Sequence, residues 1–250
     1  MRIKVTLAYD GSRYCGWQKQ PNGVSVQEVV SKTISEIQKV ETSVEASGRT
    51  DARVHAKGQV FHFDTQLKMN CDQWRKALNA KLPEDMRVQC VEEVSDSFHS
   101  RFDAKWKNYD YYVNIGDYNP FQKDYVLQFC RPLNVELMQE CAKLFVGTHD
   151  FTSFNGNSII ERPNQVRTIY DLWIEKKDDI LIFHYYGEGF LRYMVRMLTQ
   201  TIIEVGKGRV SIEQVQKALN EPKKQSAPYN ASPVGLYLVK VGYEDYGVEE

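Results

Sequence analysis

No stretch of this 250-residue chain is apolar for long enough to span a bilayer, and no basic-then-apolar leader opens it. Neither membrane insertion nor export is therefore expected. Cysteine is scarce and poorly arranged for bridging: Cys15, Cys71, Cys90, Cys130 and Cys141 are odd in number and form no CxxC pair. A disulfide framework and a structural zinc are thus not expected, and a reduced, cytoplasmic setting is. The five histidines are scattered without ligand spacing, so no metal site is expected either. Net charge is nearly absent, at −1, which by itself argues against a nucleic-acid partner. No internal repeat is visible.

What is present is ordinary in bulk and uneven in detail. Hydrophobic residues make up 42% and charged residues 26%, the composition of a soluble globular protein with one large domain or two ordinary ones. Glu244, Asp245, Glu249 and Glu250 crowd the last seven positions, so residues 1–243 hold 32 bases against 29 acids. Between Gly189 and Lys224 seven bases face three acids. Local patches decide whether a phosphate backbone is attracted, so RNA is permitted but not required.

Periodicity gives the element order. Arg2 to Tyr9 alternates Ile3, Val5, Leu7 and Tyr9 against polar residues, a half-buried strand. The following loop, 10–23, holds Tyr14 and Trp17 between Arg13 and Lys19; these rings could stack bases or plug the loop onto the core. Ser25 and Glu28 make a capping box for a helix running to about Val40. Strands follow at Thr42–Ser47 and Gln59–Asp64, a helix at Cys71–Ala80 and a strand at Met86–Val94. This is a β-α-β-β-α-β order, a split βαβ half with an antiparallel sheet. The second half reads the same way: a strand ending near Val113, a helix over Asn134–Val146 with Leu137, Cys141, Leu144 and Phe145 inward, and a hairpin, Val166–Lys176 and Ile180–Tyr186. Helices over Phe190–Val205 and Ser211–Asn220 and a last strand reaching Tyr243 complete it.

Three stretches carry chemistry. Between the strands around residues 42–47 and 59–64 lies a turn with one carboxylate, Asp51, flanked by Arg49 and Arg53. Guanidinium neighbours favour the ionised form, so Asp51 is placed to be a nucleophile or a base. It could also be a turn Asp bonding its own backbone, the reading the residues alone favour. In the strand near residue 105, alternation puts Lys105, Lys107, Tyr109 and Tyr111 on one face and Trp106, Asn108, Asp110 and Tyr112 on the other. The first face is a platform for a flipped base and its phosphates, or simply strand-favouring aromatics filling a core. The core role is preferred for Trp106 and Tyr112. In the 190–205 helix, Arg192, Arg196, Thr199 and Gln200 form a narrow polar strip on an otherwise apolar wheel. Arg196 either snorkels to solvent or meets an anion, since a buried unpaired charge is costly.

The wording of these stretches adds to the pattern. Gly48-Arg-Thr-Asp-Ala-Arg-Val-His-Ala56 resembles the catalytic motif of the TruA family of tRNA pseudouridine synthases, with Asp51 in the place of the Asp that attacks uridine. The family usually has Gly where this chain has Arg53. The Tyr-Asp-Gly-Ser loop at residues 9–12, the Ser25 helix start, His149–Phe154 (a structural segment) and the strand after Ala231 also resemble the family. Phe98-His-Ser-Arg-Phe102 with the Tyr-x-Tyr beyond it puts Tyr109 where a Tyr stacks on the target uracil. Phe190-Leu-Arg-Tyr-Met-Val-Arg196 puts Arg196 where an Arg pairs with the catalytic Asp.

The resemblance implies an α+β fold of two ferredoxin-like (split βαβ) halves sharing a central antiparallel sheet, with the active-site cleft between them. The halves are residues 1–104, carrying Asp51, and 105–250, carrying Tyr109 and Arg196. It implies isomerisation of uridine to pseudouridine in tRNA, at positions 38–40 of the anticodon stem-loop, in a cytoplasmic homodimer needing no cofactor or metal. Asp51 is then the nucleophile, Arg196 its orienting partner, Tyr109 the stacking residue and Arg49 an RNA contact. Two other classes compete. One is a non-catalytic RNA-binding module. The other is a hydrolase in which Asp51 works with Asp10 or Asp103 at about 5–9.5 Å.

Overall fold

The computed structural model describes residues 1–247, which divide into two compact units. Unit 1 comprises Met1–Lys105 and the chain from Tyr237 onward; unit 2 is Trp106–Leu236. Both mix helices with a sheet.

Unit 1 opens with β1 (Arg2–Tyr9), whose alternation buries Ile3, Val5, Leu7 and Tyr9 as the sequence predicts. Each such side chain contributes about 1.5–3 kcal/mol relative to exposure. Helix α1 (Val26–Gln38) starts where Ser25 Oγ accepts from Glu28 N–H at 3.2 Å, and stops when Lys39 turns left-handed at φ 60°. Strand β2 (Glu45–Ala46) is shorter than expected, and β3 (His55–Asp64) starts four residues earlier. The added length of β3 is held by β1, where Tyr9 faces Ala56. Helix α2 (Cys71–Lys81) begins with a full capping box of Asn70 and Gln73, and β4 (Met86–Val94) follows. The strand order is β4-β1-β3, antiparallel throughout, with β2 beside β3. Val30, Ile34, Trp74 and Leu78 from the helices are buried, and Phe63 meets Trp74 edge-on at 5.0 Å.

Unit 2 contains β5 (Trp106–Asn114), β6 (Leu127–Gln128), α3 (Val135–Lys143), β7 (Gly147–Asp150), β8 (Val166–Lys177), β9 (Ile180–Gly187), α4 (Met194–Gly206) and α5 (Ile212–Asn220). Its sheet runs β5-β9-β8-β7, antiparallel, with β6 parallel to β5. The hairpin turns at Asp178, which takes φ 51°. In α3 the buried residues are Met138, Cys141 and Ala142, while Leu137, expected inward, is exposed. Phe151 and Phe154 are fully buried, in line with a structural role for that segment. Helix α4 begins at Met194, not Phe190: the apolar run starts as a turn around Arg192 and Tyr193.

Strand β10 (Leu236–Gly242) completes unit 1. It pairs parallel with β3, Tyr237 opposite His55 and Leu238 opposite Ala56. The expectation of purely antiparallel pairing therefore fails at β3–β10 and β5–β6. The last strand, grouped on sequence with residues 105–250, packs with the first 105.

Candidate active site

Asp51 lies half-buried in unit 1, on the loop between β2 and β3. Side chains fix the start of that loop. Ser47 donates to Gln59 Oε1 at 2.7 Å, and Gln59 Nε2 donates to the Gly48 carbonyl at 3.1 Å. Thr50 Oγ1 lies 2.8 Å from the Tyr9 hydroxyl, whose pKa is pushed up by complete burial. The middle is held by backbone: Trp17 N–H donates to the Thr50 carbonyl at 3.1 Å, and Arg53 N–H to the Tyr14 carbonyl at 3.1 Å. Gly16 makes this approach possible. It sits at φ +99°, and a Cβ there would stand 2.5 Å from the Thr50 oxygen.

Tyr14 and Trp17 therefore plug the 10–23 loop onto the core and do not present free faces. Both are buried, Tyr14 donates to Asp85 Oδ1 at 2.7 Å, and Trp17 packs at 6.0 Å from Phe61. Their work is to carry the backbone that cradles residues 50–53. Arg49 and Arg53 are exposed. Arg53 has φ 65°, the left-handed region that glycine enters freely and a side chain enters at about 1–2 kcal/mol. That is the physical meaning of the departure from Gly noted in the sequence.

The two further carboxylates considered on sequence both have partners in unit 1. Asp10 Oδ1 accepts from Ser12 N–H at 2.9 Å and lies 3.2 Å from His55 Nδ1. Asp103 Oδ2 accepts from His99 N–H at 2.8 Å. The His55 ring stacks on Tyr237 at 4.6 Å, so the exit of the Asp51 loop is clamped by β10.

Unit 2 carries Tyr109 and Arg196. Tyr109, on β5, is 8% exposed, and its ring meets Phe190 edge-on at 5.3 Å. Tyr111, one step along the same face, is fully buried and donates to the Ser232 carbonyl at 2.7 Å. Burial pushes its pKa up, opposed by the positive charge of Arg196. Arg196 is half-buried in the first turn of α4. Its Nε donates to the Ala231 carbonyl at 2.8 Å, while Ala231 N–H donates back to the Arg196 carbonyl at 3.1 Å. The expected polar strip is only partly real. Thr199 is buried, its hydroxyl bonded to Tyr185 at 2.7 Å and to the Val195 carbonyl at 2.8 Å, and Arg192 precedes the helix.

The opposite face of β5 is ionic and aromatic. Asp110 Oδ1 lies 2.8 Å from His184 Nδ1, Tyr112 donates to Asp110 Oδ2 at 3.1 Å, and Glu175 lies 3.4 Å from His184 Nε2. Trp106, expected in the core with Tyr112, is only half-buried, as is Tyr112. Sequence reasoning missed Gln59 and Thr50 as supports of the Asp51 loop; a polar Gln59 on the same face of the strand as Phe61 and Phe63 is the one visible signal. Among the described residues no cluster of three His, Cys, Asp or Glu could hold a metal ion, and no helix is long and apolar enough to cross a membrane.

Comparison with known proteins covers residues of both units. A family model described as tRNA pseudouridine synthase matches residues 6–103 and 141–244, which include Asp51 and Arg196. A tRNA pseudouridine synthase A of Geobacillus sp. (strain WCH70) is 45% identical over 246 residues, 98% of this chain and 99% of that one. Its counterpart in Exiguobacterium sp. is 42% identical over 97% of this chain and 98% of its own. A tRNA pseudouridine synthase A 1 of Bacillus cereus is 41% identical over 98% and 99%. Among solved structures, a chain of a Cbf5-Nop10-Gar1 complex aligns with TM-score 0.35 and 14% identity, over 94% of this chain and 47% of that one, too distant to carry an argument. On the family model and these full-length relatives, the chain belongs to the TruA family of tRNA pseudouridine synthases, isomerases that act on tRNA.

Proposed function

We propose that this protein isomerises uridine to pseudouridine at positions 38–40 of the tRNA anticodon stem-loop, with Asp51 as nucleophile and no cofactor. The observation that carries the reading is the pinned loop: a carboxylate between two exposed guanidiniums, on a backbone fixed at Ser47, Gly48, Thr50 and Arg53, inside the family-matched segment. The reaction asks for three things. The uridine must leave the stack, at a few kcal/mol, which basic and aromatic surfaces offset. The C1′–N1 bond must break, which a carboxylate attacking C1′ or C6 accomplishes. The detached base must turn and rejoin through C5, losing the C5 proton, while something holds it flat. In this reading Arg49 contacts the RNA near the flipped base, Tyr109 stacks on the uracil and relays that proton, and Arg196 orients Asp51. Asp10 and Asp103, already engaged, make poor acid partners, which weighs against a two-carboxylate hydrolase. The two split-βαβ halves around a shared sheet and cleft, the homodimer and the cytoplasmic location belong to the same proposal.

Incubation with anticodon stem-loop RNA, read by pseudouridine-specific chemical mapping, tests it. Asp51→Asn is isosteric and is expected to lose turnover while keeping its fold and RNA affinity. Full activity in that variant ends the nucleophile assignment. RNA binding without turnover by the native protein, on every tRNA tried, favours the binding module.

A further inference from the structure

We infer that Tyr193 is a positioning residue for Arg196: its ring, locked in a left-handed turn against Gly156, holds the guanidinium in the orientation the reaction uses. The inference rests on the proposed role of Arg196 and adds a residue that role does not name.

Four observations carry it. Tyr193 occupies the N-cap of α4 at φ 61° and ψ 0°, a conformation that glycine and asparagine adopt at far less cost than tyrosine. Strain of this kind persists where the surroundings over-determine it, and it gathers at working sites. The turn is tightly held: Gly156 N–H donates to the Arg192 carbonyl at 2.7 Å, and Arg192 N–H to Asn157 Oδ1 at 3.0 Å. The ring itself needs Gly156, where a Cβ would stand 2.4 Å from Tyr193 Cδ2. Finally, the Arg196 guanidinium carbon lies 5.0 Å from the ring centroid, and that of Arg192 lies 4.7 Å from it. Both distances are within cation–π range.

Arg196 has reason to need such support. A cation in the first turn of a helix meets the positive end of the helix dipole. The Ala231 carbonyl holds Nε at 2.8 Å, and the Tyr193 ring packed on the guanidinium adds a further constraint on how its plane turns. Because the strained turn sets the ring, the planar face is presented in one way. Arg192 donates to the Tyr193 hydroxyl at 2.9 Å and steadies the ring from its own side.

The test compares Tyr193→Phe with Tyr193→Asn, each in the native and the Arg196→Lys background, with Gly156→Ala as a second route to displacing the ring. Turnover is measured on saturating anticodon stem-loop RNA, and the mobility of the Arg196 Nη–H groups by nitrogen-15 relaxation. Tyr193→Phe keeps the ring and should stay within about twofold of native kcat. Tyr193→Asn suits the left-handed turn, so the melting temperature should not fall. Its kcat should nevertheless drop about tenfold, with KM moving less than about threefold and the Arg196 Nη–H groups becoming mobile. In the Arg196→Lys background the same change should cost little, because the group it positions is gone. A rigid Arg196 in Tyr193→Asn, or equal losses in both backgrounds, overturns the inference. A mobile Arg196 with native kcat upholds the positioning and instead overturns the proposed role of Arg196.

Discussion

Replacing Gly16 with alanine tests the link between the 10–23 loop and Asp51. The added Cβ would stand 2.5 Å from the Thr50 oxygen, 3.0 Å from the Asp51 carbonyl carbon and 3.1 Å from Ala52 N, all backbone atoms. Ordinary contact begins near 3.4 Å, so the two segments must part by about 0.9 Å at the closest point. Alanine at φ +99° adds backbone strain of about 1–3 kcal/mol, and overpacking adds a comparable amount. We expect a loss of about 2–6 kcal/mol in all, within the stability of a typical domain, and a melting temperature lower by roughly 4–24 °C. A displacement of about 1 Å at a reacting group costs about a hundredfold in rate. Well below the new melting point, single-turnover kcat on stem-loop RNA should therefore fall by about that factor. RNA affinity, which draws on many phosphate contacts, should move less than about threefold. Native stability in Gly16→Ala would refute the geometry. Reduced stability with native kcat would refute the claim that this loop sets the position of Asp51.

Tyr109→Phe keeps a ring for stacking but no hydroxyl, so a proton-relay role leaves it processing 5-fluorouridine RNA up to the proton-removal step while failing on uridine; near-normal uridine turnover would reduce Tyr109 to stacking. Tyr109→Leu should weaken capture of the base by about 1–3 kcal/mol, and native behaviour there removes Tyr109 from the site. Arg53→Gly relieves the left-handed strain at some entropic cost, for a net gain of roughly 0.5–1 kcal/mol by chemical denaturation; a loss above about 1 kcal/mol would contradict this. Burial opposes protonation of His184, but Asp110 and Glu175 outweigh it and raise its pKa above the ordinary 6.5. The folded state then holds that proton more tightly than the unfolded chain, so the stabilisation is complete below about pH 6.5 and fades as pH climbs through the raised value. Asp110→Asn should remove this slope, and equal stability–pH curves for the two proteins would count against it.

Much of this architecture is legible because its signals are local. β1 announces itself by strict alternation, α5 by the Ser211–Gln214 box, and the β8–β9 hairpin by its Lys-Asp-Asp turn. What periodicity cannot separate is an apolar turn from an apolar helix, so Phe190 and Leu191 read as the first turn of α4 although the helix begins at Met194. Nor does composition say which way a ring points. The sequence leaves Tyr14 and Trp17 evenly balanced between RNA and core, and the backbone bonds at Thr50 and Arg53 show what their burial achieves. The candidate residues Asp51, Tyr109 and Arg196 were found by motif, not by period. The supports around them come from residues distant in sequence, such as Tyr9 with Thr50 or Arg196 with Ala231, and no local rule exposes those.

The parallel pairing of β10 with β3 has a consequence for the order of events in synthesis. Tyr237 stacks on His55, the residue that ends the Asp51 loop, yet more than 170 positions separate β10 from the end of β3. At about 5–20 residues per second, a translating ribosome needs roughly 10–35 s to cover that interval. Closing so long a loop is also slow compared with pairing neighbouring strands. The nascent N-terminal segment can thus build β1, β3 and β4 early, while the clamp on the Asp51 loop waits for nearly all of the remaining chain. Unit 2 is made entirely within that delay, so the Asp51 loop acquires its final anchor only after Tyr109 and Arg196 have been made.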